Sequence, residues 1–171
     1  MKKYIFILSI IVLTSCENFP GVSFDFNSDM TFVIDKPGLQ YDGSKLLDPT
    51  TNETFKKNSD KLKDVTVTKV TYTISDFVGT TSQTASASFD AADGNGNNKT
   101  NIGSFSNVNL SSLVGKETEI TASPAAIIAL AGFMKTSPYK VNVYYTGSVN
   151  QAPVKFTLKL KVYAKAKAKV I

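Results

Sequence analysis

The chain has 171 residues with 19 lysines, 14 acidic residues, one cysteine, and neither arginine nor histidine. Without histidine it lacks the commonest general base and the commonest transition-metal ligand. Without arginine it lacks the planar fork that reads guanine edges and grips phosphate, so neither metal, cofactor nor nucleic acid is expected as a partner.

The first element is an export signal. Met1-Lys2-Lys3 precedes Tyr4 to Leu13, apolar except for Ser9, and Thr14-Ser15 lead into Cys16. A basic start, an apolar run and a small-residue exit are the three parts of a secretory signal. The run is too short to span a bilayer, which takes about 20 apolar residues. Leu13-Thr14-Ser15-Cys16 resembles the lipobox of bacterial lipoproteins. That resemblance covers residues 1–16 and implies that the Cys16 sulfur receives a diacylglycerol and that the chain is cut just before it. A third acyl group on the amine is common in that family. Two acyl chains suffice for stable anchoring where one is marginal. Cys16 is the only cysteine, so an internal disulfide is excluded.

Three regions follow: a signal over 1–15, a lipidated tether over 16–21, and one domain over 22–171 long enough to bury a real core. The mature chain keeps 17 lysines against 14 acids, a net charge of +3. The charge is unevenly placed. Cys16 to Glu119 holds 9 lysines and 14 acids, net −5, whereas Ile120 onward holds 8 lysines and no acid.

In the domain, Val22, Phe24 and Phe26 alternate with Ser23 and Asp25, a strand period, and Thr31 to Ile34 predict a second short strand. Residues 36–52, rich in Pro, Gly, Asp and Thr, read as loop, and Glu53 to Lys61 as a short helix. Val65 to Phe77 is a strand whose apolar phase changes between Val67 and Val70, which predicts a bulge near Thr68-Lys69. Gln83 to Phe89 and Ile102 to Leu110 are extended, and Asp93 to Asn98 form a turn. Ser123-Pro124 opens a helix whose body, Ala125 to Met134, carries no charge, which predicts burial on more than one side. A closing hairpin follows. Its second strand puts Phe156, Leu158, Leu160, Val162, Ala164, Ala166 and Ala168 on one face and Lys155, Lys159, Lys161, Lys165, Lys167 and Lys169 on the other. The fold expected is mainly β: an antiparallel β-sandwich, immunoglobulin-like or related, of at least seven strands with one buried apolar helix near 124–134.

Few constellations carry chemistry. The six lysines, 155, 159, 161, 165, 167 and 169, are candidates for contact with an anionic lipid surface, each worth about 1 kcal/mol there. The competing reading is a solvated face protecting a sheet edge. Nucleic acid is disfavoured further because no aromatic platform is expected among these lysines. Asp93, Asn95 and Asn97 alternate as in a calcium loop, but Asn98 and Ser104 stand where glycine and glutamate are needed, so no metal site is expected. Ser137-Pro138-Tyr139-Lys140 has the Ser-x-x-Lys spacing of penicillin-binding proteins without their companion boxes. The four glutamates, 17, 53, 117 and 119, lie in no apolar run that would raise a pKa, and no catalytic residue is assigned.

In composition, with many Lys, Asn, Thr and Ile and a Cys-Glu start, the chain resembles the small all-β lipoproteins of Bacteroidota. Their acidic cluster after the cysteine, which routes them to the cell surface, is represented here by Glu17 alone. By analogy with enterobacterial sorting, the absence of Asp after Cys16 favours the outer membrane, on its periplasmic or its surface face. The function expected is a lipid-anchored, non-enzymatic binding or assembly module of the cell envelope, with a protein or glycan partner. The alternatives are a carrier of a hydrophobic ligand at the 124–134 helix and an Asp/Glu-dependent hydrolase.

Overall fold

Period-two alternation of apolar and polar residues builds nearly every element of the computed structural model, which describes residues 21–169. In chain order the elements are β1 (Val22–Lys36), β2 (Gln40–Leu47), α1 (Glu53–Asn58), β3 (Leu62–Val78), β4 (Thr84–Asp93), β5 (Thr100–Asn109), the single turn α2 (Leu110–Leu113), β6 (Glu117–Glu119), α3 (Pro124–Lys135), β7 (Val141–Val149) and β8 (Val154–Ala168). The ladders are antiparallel and make two four-stranded sheets, ordered β1-β8-β3-β6 and β2-β7-β4-β5. Consecutive strands thus change sheet at almost every connection. That order is two interlocked Greek keys, the jelly roll, within the expected class of antiparallel sandwiches.

The inner faces meet through aromatic pairs. Phe32 lies 4.6 Å from Tyr145, Tyr72 stacks on Phe105 at 4.7 Å, and Tyr41 meets Phe156 edge-on at 5.8 Å between ring centroids. Two glycines make room for this. A Cβ at Gly147 would come within 2.3 Å of the Tyr41 ring, and one at Gly43 within 2.7 Å of Tyr145. Tyr41 and Gly147 are ladder partners, as are Gly43 and Tyr145, so each tyrosine covers the glycine opposite it. The buried Tyr41 hydroxyl donates to the Ser86 carbonyl at 2.9 Å.

Several expectations are corrected. Val22–Phe26 and Thr31–Ile34 are one strand, because Ser28 and Met30 also point inward and carry the alternation across the gap. Residues 36–52 contain β2, in which Gly43 and the exposed Lys45 stand in phase with the buried Tyr41 and Leu47 and break the apolar alternation. β7 and β8 do not pair as a hairpin. They lie in different sheets, and the connection Asn150–Pro153 crosses between them. β8 is consequently an interior strand, flanked by β1 and β3, so its lysines protect no edge. The helix α3 is buried on one side only: Ala126, Leu130, Ala131 and Met134 face the core, while Ile128 is 71% exposed. The bulge in β3 falls between Val67 and Lys69, where it was expected.

The strand directions give the sandwich two ends. At one, called proximal here, Val22 and Leu62 both oppose Ala168, so the first and last described strands finish together. The connection carrying α1, the 94–99 turn and α3 lie at this end too. Phe55 of α1 is fully buried against Phe26, 4.7 Å away, and Tyr139, 6.0 Å away, which closes that opening. Asn52 caps α1 and Ser123 caps α3, each accepting a backbone N–H of the first turn. The distal end comprises 37–39, 79–83, 110–116 and 150–153.

Candidate functional site

The expected signal segment, the expected lipidation site Cys16 and the expected tether up to Pro20 lie outside the described residues. What can be located is the lysine face and the end of the molecule to which Cys16 is joined.

The six lysines share the outer face of the first sheet but differ in their surroundings. β1 presents Asp25, Asn27, Asp29, Thr31 and Asp35 on the same face. Lys155 pairs with Asp35 at 3.4 Å, Lys159 with Asp29, and Lys165 loosely with Asp25 at 3.9 Å. These are exposed pairs, each contributing about 0–1 kcal/mol, yet they offset the charge of half the stripe. Lys161 sits 4.7 Å from the centre of the Tyr163 ring, with Lys69 of β3 4.3 Å from the same ring. Among the described residues, Lys167 and Lys169 have no acidic partner within ion-pair distance. Lys169 instead donates its backbone N–H to the Lys61 carbonyl at 2.9 Å.

Tyr163 corrects the expectation that no aromatic ring interrupts the lysines. It occupies the polar phase of β8, and its hydroxyl donates to Glu117 Oε1 at 2.6 Å. Thr71 donates to the same oxygen at 2.7 Å. The Tyr163 and Thr71 hydrogen bonds hold the Glu117 carboxyl below the usual carboxylate range. This cluster ties the three-residue β6 to the sheet. Its sequence signal was present, an aromatic residue in the polar phase of a regular strand.

At the proximal end, exposed Lys56, Lys57, Lys61, Lys63, Lys135, Lys167 and Lys169 outnumber Glu53, Asp60 and Asp64. Asp64 opposes Lys167 in the ladder, and Thr66 opposes Lys165. On the other side of those β3 residues lies α3. Asp64, Val65, Thr66 and Val67 share a solvent-open depression of about 330 Å³ with Ile127, Ile128 and Lys135. Lysines of β8, the edge of β3 and the apolar side of α3 therefore run side by side.

A second open cavity, about 390 Å³, separates the C-terminal half of α3 from the 93–98 turn and is lined by Ala129, Phe133, Pro138 and Asn98 among others. The turn itself is occupied internally. Asp93 accepts from the backbone N–H groups of Asn95 and Asn97, both at 2.9 Å, and from the Asn98 amide at 3.1 Å. The bonds from Asn97 first, then Asn95 and Asn98, hold its carboxyl below the usual range. Lys140, of the Ser-x-x-Lys spacing, pairs with Asp48 at 3.5 Å. Among the described residues, no group of three or more His, Cys, Asp or Glu could hold a metal ion, and no helix is long and apolar enough to cross a membrane.

No family model and no curated protein matches this sequence. Among solved structures, a chain of Desmodium yellow mottle tymovirus superposes with a TM-score of 0.42 and 10% identity, covering 99% of this chain and 97% of that one. The jelly-roll assignment rests on the strand order alone.

Proposed function

We propose that this is a lipid-anchored protein of the bacterial cell envelope, held at Cys16, whose jelly-roll domain is a non-enzymatic binding or assembly module for an envelope protein or glycan. The observation that carries this reading is the lipobox Leu13-Thr14-Ser15-Cys16, which stands only five residues ahead of Gly21, where the sandwich starts. An extended link of that length reaches at most about 17 Å, so the domain is held beside its membrane.

A non-catalytic role is supported by the state of the acids. Glu117 and Asp93 spend their oxygens on neighbouring groups of the fold and are held ionised, the opposite of a raised general acid. The carrier alternative has less support. Leu130 and Met134 fill the core side of α3, and both cavities beside the helix open to solvent, whereas ligand pockets enclose most of their ligand.

The test is labelling of a bacterial host with an alkyne analogue of palmitate. The wild-type chain is expected to take up label and fractionate with membranes, and Cys16→Ser to take up none. A wild-type chain carrying a free Cys16 thiol overturns the reading.

A further inference from the structure

We infer that the proximal end of the jelly roll is itself a membrane-docking surface, in which the exposed side of α3 around Ile128 enters the lipid interface and Lys61, Lys63, Lys135, Lys167 and Lys169 meet anionic lipid headgroups. The inference rests on the lipid-anchor reading for its geometry and deepens it, because it states which face of the domain the bilayer covers.

Three independent features converge on this end. The first is where the chain leaves the structure. Gly21 precedes Val22, which opposes Ala168 at the proximal rim, and Cys16 is five residues further back. A link that short cannot carry the anchor around to the distal end of a sandwich whose β1 alone has 15 residues, an extended length of about 50 Å. The proximal end is therefore the one held at the lipid.

The second feature is charge. Along the lysine stripe, β1 aspartates accompany Lys155, Lys159 and Lys165, and the pairing stops at Asp25. Beyond it, Lys167 and Lys169 join Lys61 and Lys63 from the start of β3, with Asp60 and Asp64 the nearby acids. Of the distal connections, 37–39, 79–83 and 150–153 contain no charged residue, and 110–116 contains one, Lys116. Surplus positive charge thus sits where the anchor is, and anionic headgroups are its complement.

The third is the apolar surface of α3. A helix on a protein surface normally turns charged residues to solvent. The exposed positions of α3 before Lys135 are Pro124, Ala125, Ile128 and Gly132, none of them polar, and Val22 is half exposed on the same rim. An apolar helix face bordered by lysines is the arrangement of interfacial helices, whose apolar side enters the headgroup boundary. Lys135 and Ile128 border the same depression as Asp64 and Thr66, and Asp64 opposes Lys167 in the ladder, so the apolar face of α3 and the lysines of β8 adjoin across the edge of β3.

Site-specific quenching in vesicles tests this. The full chain is reconstituted into phosphatidylcholine vesicles with or without phosphatidylglycerol, as Ile128→Cys or as Gly38→Cys, each labelled with an environment-sensitive fluorophore and challenged with a headgroup-level lipid quencher. Gly38 lies in the distal 37–39 turn with open space where a Cβ would go, so its replacement is tolerated. Both variants also carry Cys16→Ser in a parallel set, so that labelling stays unique whether or not Cys16 is acylated. The mass of the Cys16 peptide is read separately and decides the anchor reading alone. Quenching at 128 is expected to exceed that at 38 several-fold in the anionic vesicles. It should fall towards the level at 38 in high salt, or when Lys61, Lys63, Lys167 and Lys169 are all changed to Gln. Equal quenching at 128 and 38 overturns the inference, whatever the mass shows. So does quenching at 128 that neither salt nor the four substitutions reduce.

Discussion

The two ends of this jelly roll solve the same problem in opposite ways. Each must close the gap between two sheets and satisfy the backbone of its connections. The distal end does it with uncharged hydrogen-bonding side chains. Gln83, 1% exposed, donates to the carbonyls of Gln151 at 2.6 Å and Pro153 at 3.2 Å. Thr80 donates to Gln151, Asn109 to the Thr81 carbonyl, and Asn150 both donates to Ser82 and accepts from Thr84. The proximal end closes with apolar side chains, Phe55 from one helix and Leu130 and Met134 from another, and leaves lysines and Ile128 facing outward. One end turns its polar groups on itself; the other leaves charge and apolar area facing outward.

This contrast can be broken by substitution. The largest effect is expected at the proximal plug. Phe55→Ala removes a fully buried ring and leaves a cavity between Phe26 and Tyr139, costing about 3–5 kcal/mol by urea denaturation. At the distal end, Gln83→Ala leaves two carbonyls without their donor and should cost about 1–3 kcal/mol in the same assay. If Phe55→Ala proves the milder of the two, the assignment of apolar closure to the proximal end fails.

Between the ends, the seam at β6 should respond to acid. The Glu117 carboxyl lies below its ordinary range in the folded chain, so its contribution is complete above the unfolded carboxylate pKa. It is lost as pH falls through the folded value. Amide exchange in Glu117–Glu119 is expected to speed up as pH drops into the acidic carboxylate range, beyond the intrinsic change in exchange chemistry. In Glu117→Gln that extra pH dependence should be gone.

The smallest effect on stability is expected from the lysines themselves. Lys167→Gln with Lys169→Gln should leave the denaturation midpoint within about 0.5 kcal/mol of wild type, because the fold makes little use of their charge. A larger loss would give the two lysines a structural task and weaken the case that their charge serves an external surface.

How far the sequence announced this architecture varies from strand to strand. β8 was legible throughout, since every inward position from Val154 to Ala168 is apolar and most outward positions are lysine. β1 looks like two pieces in sequence because Ser28, inward and 3% exposed, interrupts its apolar phase. β2 is hidden for a physical reason: Gly43, in phase with buried Tyr41 and Leu47, is needed under Tyr145, and Lys45, in the same phase but exposed, reaches across to donate to the Thr31 carbonyl at 2.9 Å. Neither looks apolar in sequence. The crossing from β7 to β8 uses a connection as short as a hairpin's, so its choice of sheet is set by tertiary packing. For α3, the absence of charge predicts burial on more than one side. Ile128 shows that an uncharged helix can also be one with an apolar face left uncovered.

The candidate site was legible in part. The lysines were plain, but the aspartates that offset half of them come from β1, more than a hundred residues away in the chain. Which of the described lysines lack an ion-pair partner is visible only once β1 and β3 are paired with β8.

The most direct test of the difference between the two ends is hydrogen exchange of the full chain, bound to vesicles containing phosphatidylglycerol and free in detergent. A bilayer-facing proximal end predicts slower exchange on the vesicles across α3 and at Leu62–Asp64, with no change in 79–83 or 150–153. Protection at the distal segments, or equal protection at both ends, would contradict it.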